Sequence, residues 1–134
     1  MFRLVKIING RANVGEPVRL PSTASTTYSF GEALVLSGGK LTKCGATAVP
    51  THICGEDYAA PATDNKDIVA VPVSADMIFE VPFSASPASV NVGDKVTLGT
   101  DGLTVTATTT SGVATIFDKA GSSATGDKCL VQFK

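Results

Sequence analysis

Cys44, His52, Cys54 and Cys129 are the residues of this 134-residue sequence whose types could do thiol or soft-metal chemistry. Thiolate sulfur and imidazole nitrogen together make a plausible zinc set. The spacing argues otherwise, because structural zinc sites usually draw ligands from tight Cys-x-x-Cys knuckles and none is present. His52 and Cys54 share a strand face only where that strand is regular. The expectation is three thiols acting as small buried hydrophobes, one hydrogen-bonded imidazole, and no metal or other cofactor. Nucleophilic catalysis needs a base beside the nucleophile and a group to orient that base. With His52 the single histidine and no serine in a Gly-x-Ser-x-Gly turn, no catalytic residue is nominated and the chain is not read as an enzyme.

The acidic residues are no more suggestive. Glu56, Asp57, Asp64 and Asp67 fall close together, but "DNKD" lacks the alternating acids of a calcium loop and places a lysine among them. Asp76, Glu80 and Asp94 supply no defined carboxylate pair for glycoside hydrolysis. The stretch "GTDGLTVTATTTSG" is glycine-containing, yet it has neither a following helix nor a Gly-x-x-x-x-Gly-Lys pattern to cradle phosphate. Arg3, Lys6, Arg11 and Arg19 are loosely spaced without interleaved aromatics, a weak basis for nucleic-acid binding.

Composition points the same way. Eleven basic residues against twelve acidic ones create no overall field toward nucleic acid or an anionic membrane; near-neutrality suits a protein surface as partner. Three cysteines at unrelated spacings indicate a reducing compartment rather than a paired disulfide framework. "MFRLVKIING" has no apolar core of signal-peptide length, and no run approaches the ~20 apolar residues of a membrane helix. A soluble protein made in the cytosol is expected.

The elements that must position these residues read as strands. β-branched and aromatic residues cluster in short runs bounded by Gly, Pro, Asn, Asp and Ser. The runs are Phe2–Ile8, Ala33–Leu36, Lys40–Cys44, His52–Cys54, Asp67–Val73, Met77–Phe83, Lys95–Leu98, Leu103–Ala107, Ala114–Asp118 and Lys128–Phe133. Pro21–Phe30, Ala59–Asp67 and Ala120–Lys128 read as surface loops. Residues 1–20 read as an N-terminal arm, its strand interrupted by Asn9-Gly10-Arg11, and residues 21–134 as one β domain. A terminal apolar strand wants a sheet edge, its own or a neighbour's.

Two segments share a pattern. At a constant offset, Gly31, Glu32, Leu36, Leu41, Thr42 and Thr47 fall on Gly93, Asp94, Leu98, Leu103, Thr104 and Thr109. Halves spanning about residues 31–58 and 93–120 would each be a hairpin, a loop and a third strand, with turns at Ser37-Gly38-Gly39 and at Gly99 to Gly102. Unrelated β-hairpins also coincide at a few Gly, Leu and Thr positions.

"SVNVGDKVTLGTDGLTVTATTTSG", followed by Ala114–Asp118 and the closing "CLVQFK", resembles the C-terminal half of tailed-phage head decoration (capsid cement) proteins. "GEALVLSGGKLTKCGATAVPTHICGEDY" resembles the matching first half. The resemblance, over residues 31–134, implies an all-β fold, a small antiparallel barrel-like or tulip-like domain of two similar halves; the extended N-terminal arm lies outside it, and Phe2–Ile8 maps onto no family contact. It also implies a homotrimer on the outside of an expanded capsid, clamping the major capsid protein and stabilising the shell, and it carries over no active-site residue. Phe2, Arg3, Leu4, Lys6, Ile7 and Arg11 of the arm are the candidate capsid or subunit interface. The alternatives are another virion part, such as a head-fibre base or a tail-associated β domain, or a small sugar- or ligand-binding module using loop Ser22–Phe30 with Tyr28.

Overall fold

The computed structural model describes residues 1–8, 16–63 and 66–134. Twelve strands and no helix occur among them: β1 Arg3–Ile7, β2 Val18–Pro21, β3 Thr27–Tyr28, β4 Ala33–Ser37, β5 Lys40–Lys43, β6 His52–Cys54, β7 Tyr58–Ala59, β8 Asp67–Pro72, β9 Met77–Pro82, β10 Lys95–Val96, β11 Ala114–Asp118 and β12 Lys128–Phe133. Two five-stranded sheets run β1-β9-β12-β11-β10 and β2-β8-β6-β4-β5, and β3 pairs with β7. Every pairing between these strands is antiparallel.

The two sheets repeat one motif. Leaving aside β1 and β5, the orders β2-β8-β6-β4 and β9-β12-β11-β10 each place the first, fourth, third and second strands of a copy side by side. The hydrogen bonds repeat residue for residue. Gly31 N–H donates to Cys54 C=O and Cys54 N–H to Glu32 C=O; Gly93 N–H donates to Ile116 C=O and Ile116 N–H to Asp94 C=O, all at 2.8 Å. Further along, Thr51 N–H donates to Leu34 C=O as Val113 N–H donates to Val96 C=O.

The turn that starts each copy's second strand explains why the sequence repeats there. Glu32 N–H donates to Ser29 C=O while the Glu32 carboxylate accepts from Ser29 N–H at 2.9 Å. Asp94 and Asn91 do the same, with the carboxylate bond at 2.8 Å. The third residue of this turn has a positive φ, +77° at Gly31 and +94° at Gly93, where a Cβ is disfavoured.

The hairpins differ. β4 and β5 pair in register, Leu36 opposite Leu41. In the second copy the expected strands Lys95–Leu98 and Leu103–Ala107 reduce to β10 and one bridge, Leu98 with Val105. Here the Asp101 carboxylate takes the N–H of Leu103 and of Thr104, and Thr106 Oγ1 takes Thr108 N–H, so side chains occupy donors a ladder would use. The first copy's sheet curls until its ends meet at the parallel bridge Ser22 to Leu41, and in the second copy Phe83, just after β9, bridges Val105 while β1 lies outside that curl. The result is barrel-like without being a closed barrel.

The arm expected over residues 1–20 does not stand apart where it is described. β1 adds to β9 at the edge of one sheet and β2 to β8 at the edge of the other. Of the two sheet edges open to a terminal apolar strand, β1 takes its own chain's. The reason is Phe2, only 2% exposed, whose ring sits 5.5 Å from that of Phe133 and 6.4 Å from that of Phe79. A ring this large stabilises the fold by about 3 kcal/mol when fully buried, enough to hold the segment down. Phe2 belongs to the larger core, which joins the second copy's interior to Ala33, Cys44 and Ile53 of the first. The smaller core, around Tyr28, Leu34, Leu41 and Ile68, fills the first copy.

Candidate partner-binding edge

The residues nominated for soft-metal chemistry are not gathered into one site among the described residues. Cys54 lies in the smaller core, Cys44 and Cys129 in the larger. Each thiol donates to a carbonyl: Cys44 to Ala48, Cys54 to Glu56 and Cys129 to Val81. Burial pushes the Cys44 thiol up to about 11 and the Cys129 thiol up to about 12, and burial also raises Cys54. His52 Nδ1 lies 2.8 Å from Thr51 Oγ1, and burial lowers its pKa. Among the described residues no group of three or more His, Cys, Asp or Glu side chains is placed to hold a metal ion.

The acids serve structure. Glu56 takes Lys66 Nζ at 2.9 Å and Val69 N–H at 2.8 Å, and the Lys66 hydrogen bond, then Val69's, hold its carboxyl below the usual range. Asp57 accepts Phe30 N–H; Asp76 accepts the Ser74 hydroxyl. Asp64 lies outside the described residues. Tyr28, on which a sugar site in loop Ser22–Phe30 would rest, is 1% exposed; its hydroxyl donates to Leu41 C=O and accepts from Thr23 N–H. It is no stacking platform, because its ring fills the first copy's core.

What remains is β1. As the last strand of its sheet it has no strand partner on its outer edge among the described residues. Its pairing with β9 slips between Leu4 and Lys6, leaving Val5 exposed in a bulge. Of the nominated interface residues, Arg3 and Lys6 are exposed, Leu4 and Ile7 half-buried against the larger core, and Phe2 is withdrawn into it. Arg11 lies outside the described residues. Arg3 Nη2 stands 3.1 Å and Lys128 Nζ 2.9 Å from the same Glu80 oxygen, and the Lys128 hydrogen bond is the main cause holding Glu80 below the usual carboxylate range.

Beside β1 lies an apolar pocket of about 230 Å³. Phe2, Leu4 and Phe79 contribute from β1 and its sheet, while Phe30, Ile53 and Val71 contribute from the first copy. Phe2 N–H donates to Gly31 C=O at 2.9 Å, tying the start of β1 to the pocket's rim. Phe30 stands 53% exposed. Phe30 ends the loop Ser22–Phe30 considered for a ligand site, whereas Ile53 and Val71 were not among the sequence candidates. Phe30's one signal is its place at the end of the run "PSTASTTYSF", where Tyr28 is the other aromatic; Ile53 and Val71 look like ordinary strand interior.

No protein-family model matches the chain, and no curated protein matches it. Among solved structures the fold is similar to the head fibre gp8.5 N base of bacteriophage phi29, at 16% identity and a TM-score of 0.58, over 88% of this chain and 94% of that one. At that identity the likeness speaks for the fold alone.

Proposed function

We propose that the protein is a structural component of a phage virion that sits on the outer surface of the head, binds the expanded capsid and stabilises it. The observation that carries this reading is the near full-length likeness of a duplicated β fold to a head-fibre base. The resemblance of residues 31–134 to head decoration proteins supports the same location. The partner in this reading is the major capsid protein, the assembly a homotrimer, and the contact includes the exposed face of β1. No chemistry is needed: a protein that binds the expanded lattice and not its precursor stabilises that lattice by mass action.

The fibre-base form of the reading has a specific observation in its favour, since the similar chain is a fibre base and is covered over almost its whole length. The two forms separate by experiment. Purified protein is sedimented with expanded and with unexpanded shells, and the melting of the expanded shell is recorded with and without it. Binding to expanded shells with a raised shell melting temperature supports the cement form; binding without that rise supports a base that only anchors. Binding to neither shell removes the head-surface reading.

A further inference from the structure

We infer that the free edge of β1 and the neighbouring apolar pocket form one binding site for an extended, acidic-flanked peptide segment of another protein, which adds to β1 as a further strand and seats one large apolar side chain in the pocket. The source of the segment, a capsid subunit, rests on the head-surface reading; the site itself does not.

Three observations converge on the occupant. Among the described residues no strand pairs with the outer edge of β1, and an added strand would run about 4.8 Å away with alternate side chains on opposite faces. The pocket beside Leu4 has an almost wholly apolar lining and the room for an aromatic or long aliphatic side chain. The flanking charge is mostly positive, Asp57 on Phe30 N–H being the acid at the pocket wall. Arg3 and Lys128 share the single carboxylate of Glu80, and Arg19 and Lys66 share that of Glu56, next to pocket residue Gly55. Lys6 adds a further exposed cation, and residues 1–8 contain no acid.

That charge also excludes a second copy at this edge. Two β1 strands pairing with each other would set Arg3 and Lys6 of one against the same residues of the other, and like charges across a strand pair are destabilising. Lysine on an edge strand is a known guard against self-pairing. An acidic segment meets no such barrier.

The test uses the full-length protein and fluorescein-labelled peptides, with no shell present. The acidic probe is Glu-Val-Phe-Val-Glu; the controls replace its Phe by Gly or its Glu residues by Lys. Saturable anisotropy with the acidic probe, weakened roughly tenfold or more by loss of the Phe and weakened by salt, is expected. Amide exchange should slow at β1 on binding. Phe30→Ala, at an exposed pocket wall, and Lys6→Glu should each reduce affinity while leaving the melting temperature near that of the parent. No saturable binding, equal binding of the lysine-flanked peptide, parent-like binding by both variants, or protection away from β1 would overturn the inference. Because shells are absent, such a failure leaves the head-surface reading standing, and failed shell sedimentation leaves this site standing.

Discussion

Gly31 and Gly93 hold the same position in two copies of one turn, yet only Gly31 is covered. A Cβ on Gly31 would lie 2.7 Å from Met1 Cβ and 3.1 Å from the Phe2 carbonyl oxygen, whereas one on Gly93 meets nothing within 4 Å. The motif is duplicated; what the chain places on top of it is not. The N-terminal segment fills the first copy's corner and leaves the second open.

Alanine at either site forces a positive φ on a residue with a Cβ, costing about 1–2 kcal/mol. Gly31→Ala must in addition push Met1 and Phe2 aside, adding about 1–3 kcal/mol for overpacking. Urea unfolding should therefore show the larger loss for Gly31→Ala. Equal losses at the two sites would contradict the covering role of the first residues.

Phe2→Ala opens a cavity between Phe79 and Phe133 and should destabilise the fold by about 3–5 kcal/mol, read as a shift in the urea midpoint with an unchanged slope. A loss below about 1 kcal/mol would mean that the segment is an accessory arm rather than part of the core.

The contrast shows what the sequence made legible. His52–Cys54, Ala114–Asp118 and Lys128–Phe133 are the strands their β-branched and apolar runs announce. Their partners were not readable, because register between distant strands is set by which faces must be buried. Tyr28 and Tyr58 belong to two-residue strands, too short for any alternation to register in sequence. The edge site was half visible: the cations and apolar residues of β1 stood out, while Phe30 and Val71 reach the pocket only through the tertiary fold.

The thiols supply a separate check. Buried, each donating to a carbonyl, and with Cys44 and Cys129 raised to about 11 and about 12, they should stay unmodified by a maleimide at neutral pH and all react once unfolded in guanidinium. Rapid labelling of any one in the native protein would contradict the packing described.

Acid sensitivity follows from His52. Burial holds its folded pKa below the ordinary imidazole value of 6.5, so the unfolded chain binds more protons between the two values. The stability contributed by the neutral ring is fully present above about pH 6.5 and is lost as pH falls through the lowered folded value. His52 Nδ1 and Thr51 Oγ1 share a hydrogen bond, while Thr51 Oγ1 accepts Leu36 N–H. His52→Gln should flatten the pH dependence of the urea midpoint just below pH 6.5. An unchanged slope would assign that dependence to other groups.

The most direct test of the central claim is a cryo-electron reconstruction of expanded, undecorated shells incubated with the purified protein. The account predicts ordered density for the two-sheet domain on the outer surface, with β1 and Phe30 facing a capsid subunit. Shells without added density, or density confined to the tail, would contradict it.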